Sequence, residues 1–351
     1  MREDTPAARG YRWPAEWEPH AATWLSWPKN PDTWPGRLER AIDGFVGIVR
    51  ALHPFERVNL LVDSPAQEAA ARARLAAGGV PADADVAFVV APTNDAWVRD
   101  YGPIFVVRGE SGQRERALLD FGYNAWGGKY PPFSLDDAIP ARLGRLLGLP
   151  LFAADFVLEG GSLDGNGCGT LLTTETCLLN PNRGRGRTRE QMEGRLAAWL
   201  GATQVLWLGE GIVGDDTDGH VDDITRFVDA GTVVTVVEPD ASDANAAPLA
   251  ENLRRLRGMR DAAGKPLAIA TLPMPPPLFI AGQRCPASYA NFYLGNGVAL
   301  VPTFGAAADA TALAVLRELL PGREVLGVRC DELVYGLGAI HCLSQQEPRI
   351  G

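Results

Sequence analysis

The stretch "GDDTDGHVDDITRFVDAGTVVTVVE" (Gly214–Glu238) carries two messages at once. From Ile224 onward it is apolar, breaks at Ala230-Gly231 and is apolar again, the pattern of a hairpin built from β-branched residues. Before that it crowds Asp215, Asp216, Asp218, Asp222 and Asp223 around His220, which no hairpin requires. The same coupling of a polar corner to a hairpin recurs. "PIFVVRGESGQRERALLDF" (Pro103–Phe121) follows "NDAWVRDYGP" at Asp100, and "SLDGNGCGTLLTTETCLLN" (Ser162–Asn180) follows "LEGGS" at Glu159. "ANFYLGNGVALVPTF" (Ala290–Phe304) overlaps "SYANFY" at Asn291, and a fifth corner, "AIHC" at Cys342, lies near the C-terminus. Gly and Asn at the breaks supply the positive φ angles that tight hairpin turns use.

The corners are separated by 59, 61, 71 and 51 residues. Between them lie segments of helical period such as "TREQMEGRLAAWL" (Thr188–Leu200) and "DATALAVLRELL" (Asp309–Leu320). A repeat of one helix and several strands predicts α/β modules arranged radially, with the five polar corners meeting in one central channel. No Ser- or Pro-rich linker interrupts the chain, so residues 1–351 read as a single domain of five repeated modules.

Composition narrows the function. With 351 residues, 46% of them hydrophobic, the chain can bury a large core. A net charge of −10 offers no basic surplus to neutralise phosphates, which argues against nucleic acid and suits a cationic partner. The N-terminal stretch "MREDTPAARGYRWPAEWEPH" lacks the apolar run of a signal peptide, and no segment approaches the ~18 apolar residues of a membrane span. Five scattered cysteines make no disulfide framework, and with no Cys-x-x-Cys pair a metal is not expected, so a reducing cytoplasm is. "GNGCGT" does not complete the dinucleotide fingerprint and lies within a hairpin, so no nucleotide cofactor is expected either.

The corners hold a coherent set of groups. A core thiol is the usual fate of a free cysteine and fits Cys177 and Cys330. It fits Cys342 less well, because Gly338 precedes it and Ser344, Gln345, Gln346 and Glu347 follow. His341 is adjacent, but neighbours on a strand point to opposite faces, so the acid–base partner is sought among His20, His53 and His220. If His220 opens a strand, Asp222 shares its face and favours its charged form. The acidic run also reads as a solvated cap, but not as an EF-hand loop. Asp100 and Glu159 end apolar stretches, where a carboxylate must cap a turn, pair with a cation such as Arg99, or hold a ligand. A thiol, an imidazole and three carboxylates suit a guanidinium. Carboxylates take paired hydrogen bonds from its edges, leaving the central carbon open to a thiolate. Loss of ammonia leaves an S-amidino cysteine, which water releases as a urea; this needs no metal or cofactor.

Taken with "PAEWEPHAATWLSWP" (Pro14–Pro28), "ASYANFYLGN" and "IHCLSQQEP", these motifs resemble, end to end and in order, the agmatine deiminase family, whose relatives include bacterial peptidyl-arginine deiminases. The resemblance implies the five-bladed α/β propeller of the guanidine-modifying superfamily and a cationic guanidino substrate, agmatine first. Peptidyl arginine or another guanidino-amine is the alternative. It implies Cys342 as nucleophile, His220 as general acid–base, Asp100 and Asp222 as guanidinium-binding carboxylates and Glu159 as a further acidic group. Trp97, Asp216 and Asn291 follow as pocket residues, and a homodimer as the assembly. One departure stands out: the family commonly reads Gly-Gly-Gly-Asn-Ile-His-Cys where this chain has Gly336-Leu337-Gly338-Ala339-Ile340-His341-Cys342. A different guanidine-using enzyme, a non-catalytic binding protein and a metal-dependent hydrolase are the rival readings.

Overall fold

The computed structural model describes residues 5–110 and 113–351. The Ser111-Gly112 turn of the 103–121 hairpin lies outside the described residues, as do the first four residues of the N-terminal stretch. The fold is mixed α/β. In chain order the strands are β1 (His20–Ser26), β2 (Val58–Val62), β3 (Val86–Val90), β4 (Ile104–Arg108), β5 (Glu115–Gly122) and β6 (Leu151–Val157). There follow β7 (Asp164–Gly165), β8 (Thr170–Thr174), β9 (Gln204–Leu208), β10 (Thr225–Phe227), β11 (Thr232–Val237) and β12 (Ala268–Pro273). A short pair, β13 (Phe279–Ile280) and β14 (Gln283–Arg284), precedes β15 (Tyr293–Gly295), β16 (Val298–Thr303), β17 (Glu324–Arg329) and β18 (Ser344–Pro348).

Among the described residues five sheets share one connectivity. β4-β5-β6, β7-β8-β9, β10-β11-β12 and β15-β16-β17 each join an antiparallel pair to a third, parallel strand. A helix makes each parallel crossover: Ile139–Leu147, Arg189–Leu200, Ala246–Gly258 and Ala308–Leu319 in turn. In the fifth sheet, β18-β1-β2-β3, C-terminal β18 runs antiparallel to N-terminal β1. The helix Leu38–Leu52 then crosses to parallel β2.

In four of these five sheets burial falls from the first strand to the last. The first strands β4, β7, β10, β15 and β18 are buried almost throughout, while β3, β6, β12 and β17, at the far edges, are partly exposed. First strands of neighbouring sheets touch, β18 against β4 and β7 against β10. The crossover helices cover the sheets with apolar stripes; Leu38–Leu52 buries Ala41, Ile42, Phe45, Val46, Ile48, Val49 and Leu52.

Local chemistry explains the boundaries. Thr188 caps Arg189–Leu200 in a full capping box with Gln191, and Gly201 ends it in the left-handed region. Gly297, at φ 70, turns the β15–β16 hairpin as expected. Gly231 does not adopt a positive φ. Its turn is closed instead by Asp229, whose carboxylate accepts the Gly231 and Thr232 N–H groups at 2.8 and 2.7 Å. Each corner residue lies two to five positions before the buried first strand of its sheet. No helix among the described residues is long and apolar enough to cross a membrane.

Candidate active site

The five corners meet. Asp100 stands on the one-turn helix Val98–Tyr101 and Glu159 precedes the turn Gly160–Ser162. His220 does not open a strand as expected. It precedes a 3-10 turn, Val221–Asp223, that carries Asp222 back toward it before β10 begins. The turn forms because Asp215 draws the preceding loop together, accepting the N–H groups of Thr217, Gly219 and His220.

Gly161 lies at the centre. A methyl group there would come within 2.6 Å of His220 Nδ1, 2.8 Å of Asp100 Oδ1 and 3.1 Å of Asp222 Oδ2. Asp100 Oδ1 accepts the Gly161 N–H at 2.9 Å and lies 3.7 Å from His220 Nδ1, while Oδ2 accepts the Trp126 indole N–H at 3.0 Å. Burial, reinforced by Asp222 and Glu159 against the opposing pull of His220, pushes the Asp100 carboxyl up to about 6. Burial disfavours charge on His220, yet Asp100, Cys177 and Asp222 outweigh it and raise the imidazole well above its ordinary value.

Cys342 sits in the turn before β18. Its Sγ accepts Asn291 Nδ2–H at 3.1 Å and lies 3.8 Å from Asp222 Oδ2. Burial and the charges of Asp222, Asp223 and Asp100 hold its thiol well above the ordinary range, which favours the neutral form. Arg99 makes no ion pair with Asp100. It turns away, donating to Gln345 and Gln346 at 2.7 and 2.8 Å and to Glu16 at 3.4 Å. Glu159 Oε1 instead accepts Arg183 Nε–H at 2.8 Å.

A cavity of about 620 Å³ opens onto Cys342 and Asp100, walled by Trp97, Trp126, Tyr130 and Asp216. Asp216 lies near its mouth, its carboxylate taking the Tyr130 hydroxyl. Asn291 is not in the wall but behind the thiol, its amide also donating to Asp223 at 3.0 Å. Trp97 packs at a tilt against Trp34, ring centroids 5.4 Å apart, and leans on Gly338, where a methyl group would meet its ring at 2.5 Å.

Several participants escaped the sequence reading. Glu16 sits in the quoted stretch "PAEWEPH" and binds Arg99, Arg226 and His341, its only signal being a carboxylate in a Trp-rich apolar segment. Trp126, at φ 54, and Arg183 gave none. Cys177 is buried as expected of a core thiol, yet its sulfur, a His220 ring nitrogen and a Glu159 oxygen all lie within 4.8 Å of one another. Asp222, Asp223 and Cys342 form a second such set. Both have donors a soft cation could use, although Arg183 already occupies one oxygen of Glu159.

Fold and site together define an α/β protein in which repeated ββαβ units bring a thiol, an imidazole and several carboxylates close together. The chain belongs to the Porphyromonas-type peptidyl-arginine deiminase family, whose model matches residues 12–348. It is 38% identical to the agmatine deiminase of Ectopseudomonas mendocina, over 98% of this chain and 97% of that protein. The structure of an Enterococcus faecalis agmatine deiminase superposes with a TM-score of 0.91 at 34% identity, covering 99% of this chain and 98% of the other. A substrate-bound agmatine deiminase of C. jejuni gives 0.87 at 30%, covering 97% and 96%.

Proposed function

We propose that this chain hydrolyses agmatine to N-carbamoylputrescine and ammonia through an S-amidino intermediate on Cys342. One observation carries the reading. Glu159 Oε2, Asp222 Oδ1 and both ring nitrogens of His220 are buried without a hydrogen-bond partner. Among the described residues, the other side-chain atoms in that state are arginine Nε groups elsewhere. Such atoms cost about 1–3 kcal/mol each when unpaired. The two unpaired carboxylate oxygens call for a planar cation with many N–H donors, which a guanidinium is, and the unpaired imidazole, held in its charged form, stands ready to give a proton.

The chemistry follows. A guanidinium held by Asp100 and Asp222 offsets the negative field that keeps Cys342 protonated, so the thiol gives its proton to solvent and becomes a thiolate when substrate is present. The thiolate adds to the central carbon, His220 delivers a proton to the departing nitrogen, and ammonia leaves. His220 then takes a proton from water, which attacks the amidino carbon and restores the free thiol. The five described cysteines are all free, as a reducing compartment would keep them. The propeller arrangement, with a single domain closed by β18 on β1, is supported by five sheets of one connectivity buried at their first strands.

The far end of the substrate is read from charge. Asp32, Asp95, Asp100, Asp136 and Asp216 line the cavity, and the lysine beside them, Lys129, is already paired with Asp218 at 2.9 Å. A distal ammonium fits, whereas the α-carboxylate of free arginine would meet like charge. The test is ammonia release from agmatine, arginine, an arginyl peptide and guanidino-amines of other lengths. Agmatine is expected to exceed arginine in kcat/KM by at least ~100-fold, which asks about 2.7 kcal/mol of the site. Cys342→Ala is expected to stay folded and lose turnover. Preference for the peptide would move the chain to peptidyl substrates, and turnover by the alanine variant would end the covalent mechanism.

A further inference from the structure

The residue beside the nucleophile has its own task, which rests on the guanidine reading above. His341 points away from the cavity, and both its ring nitrogens face carboxylates. Nδ1 lies 2.7 Å from Asp222 Oδ2, and Nε2 lies 2.8 Å from Glu16 Oε2. All three side chains are buried. Glu16 is itself anchored by Arg226 at 2.9 Å and Arg99 at 3.4 Å, and Arg226 Nη1 donates to the Phe292 carbonyl at 2.8 Å. A rigid line therefore runs from two buried guanidiniums through Glu16 and His341 to one oxygen of Asp222.

That line decides which oxygen remains free. Asp222 Oδ2 is engaged by His341 and lies near the Cys342 thiol, whereas Oδ1 has no partner. A carboxylate can rotate about its terminal bond, but one fixed by a donor on one oxygen presents the other in a single direction. We infer that His341 is a positioning residue: held from behind by Glu16, it locks Asp222 so that Oδ1 faces the guanidinium and Cys342 Sγ faces its carbon. The two partners sit on different atoms of the ring, so they can be separated. An asparagine places its amide near where Nδ1 was and can still donate to Asp222. A glutamine reaches the place of Nε2 and keeps only Glu16.

The experiment compares kcat/KM for agmatine in the unaltered protein, His341→Asn and His341→Gln, with thermal melts to confirm that both variants fold. Displacing a reacting group by about 1 Å costs roughly 100-fold. The glutamine variant is expected to fall by about that much, and the asparagine variant to stay within ~10-fold of the unaltered protein. Both variants retain a polar group at the position, so a merely structural need for one would not separate them. Glutamine equal to or better than asparagine, or both within ~3-fold of the unaltered protein, overturns the inference and leaves the deiminase reading standing. Absence of deimination by the unaltered protein on every guanidine in the panel overturns both.

Discussion

Among single residues, Asp100 shows how the site trades comfort for function. Its carboxylate is buried beside Asp222 and Glu159, and only the Gly161 N–H, the Trp126 indole and the attraction of His220 favour its charge. Its pKa of about 6 is raised from the ordinary value, so the group is ionised above that pH and neutral below it. A neutral carboxyl cannot take both N–H bonds of a guanidinium edge. The kcat/KM profile for agmatine is therefore expected to lose activity as pH falls through about 6. On the alkaline side it should decline as His220 loses its proton, at a pH above the usual histidine range. An acid limb centred near the ordinary aspartate value of about 4 would show that Asp100 need not be charged in the free enzyme. The sequence made Asp100 legible as a costly carboxylate, because it ends an apolar stretch. It could not show that Arg99 turns the other way, since one step along a short helix sends the two side chains to different neighbours.

The elements that matter most are the shortest. The turn Gly160–Ser162 lets His220, Asp100 and Asp222 close around the bare backbone of Gly161. Gly161→Ala is expected to push these groups apart and cost roughly 100-fold in kcat/KM, measured by ammonia release. Gly194 provides the contrast. It lies inside the helix Arg189–Leu200, and nothing stands within 4 Å of the place a methyl group would take. Gly194→Ala is expected to leave activity unchanged and raise stability by about 1 kcal/mol in chemical denaturation. Comparable activity loss in the two variants would mean that the Gly161 effect is not local. Hairpins and long helices were readable from periodicity and caps, as Thr188 and Gly297 illustrate. The 3-10 turn at Val221–Asp223 was not, because three residues carry no period, and its shape comes from Asp215 gathering backbone N–H groups ahead of it.

Over the whole molecule, the last strand ties the two ends of the described chain together. β18 pairs with β1 across the full length of the chain, and its Gln345, Gln346 and Glu347 side chains serve Arg99, Trp24 and Arg116. Deleting residues 344–351 would bare a buried strand and orphan those partners, so the product is expected to be insoluble or to lose its near-ultraviolet circular dichroism. Deleting only 349–351, where Arg349 N–H donates to the Pro19 carbonyl, is expected to leave a folded enzyme. A folded, active protein lacking β18 would show that its pairing with β1 is dispensable. The repeating unit, the order of the corners and the kinds of groups they carry were all legible in the linear chain, because periodicity, turn residues and costly carboxylates are local properties. Which groups face one another was settled by the packing alone. Glu16, Arg183, Cys177 and His341 became members of the site through contacts between residues far apart in the chain, as when Glu16 meets His341 and Arg226 meets Asp164. Such contacts are set by how the sheets pack, and no local pattern records them.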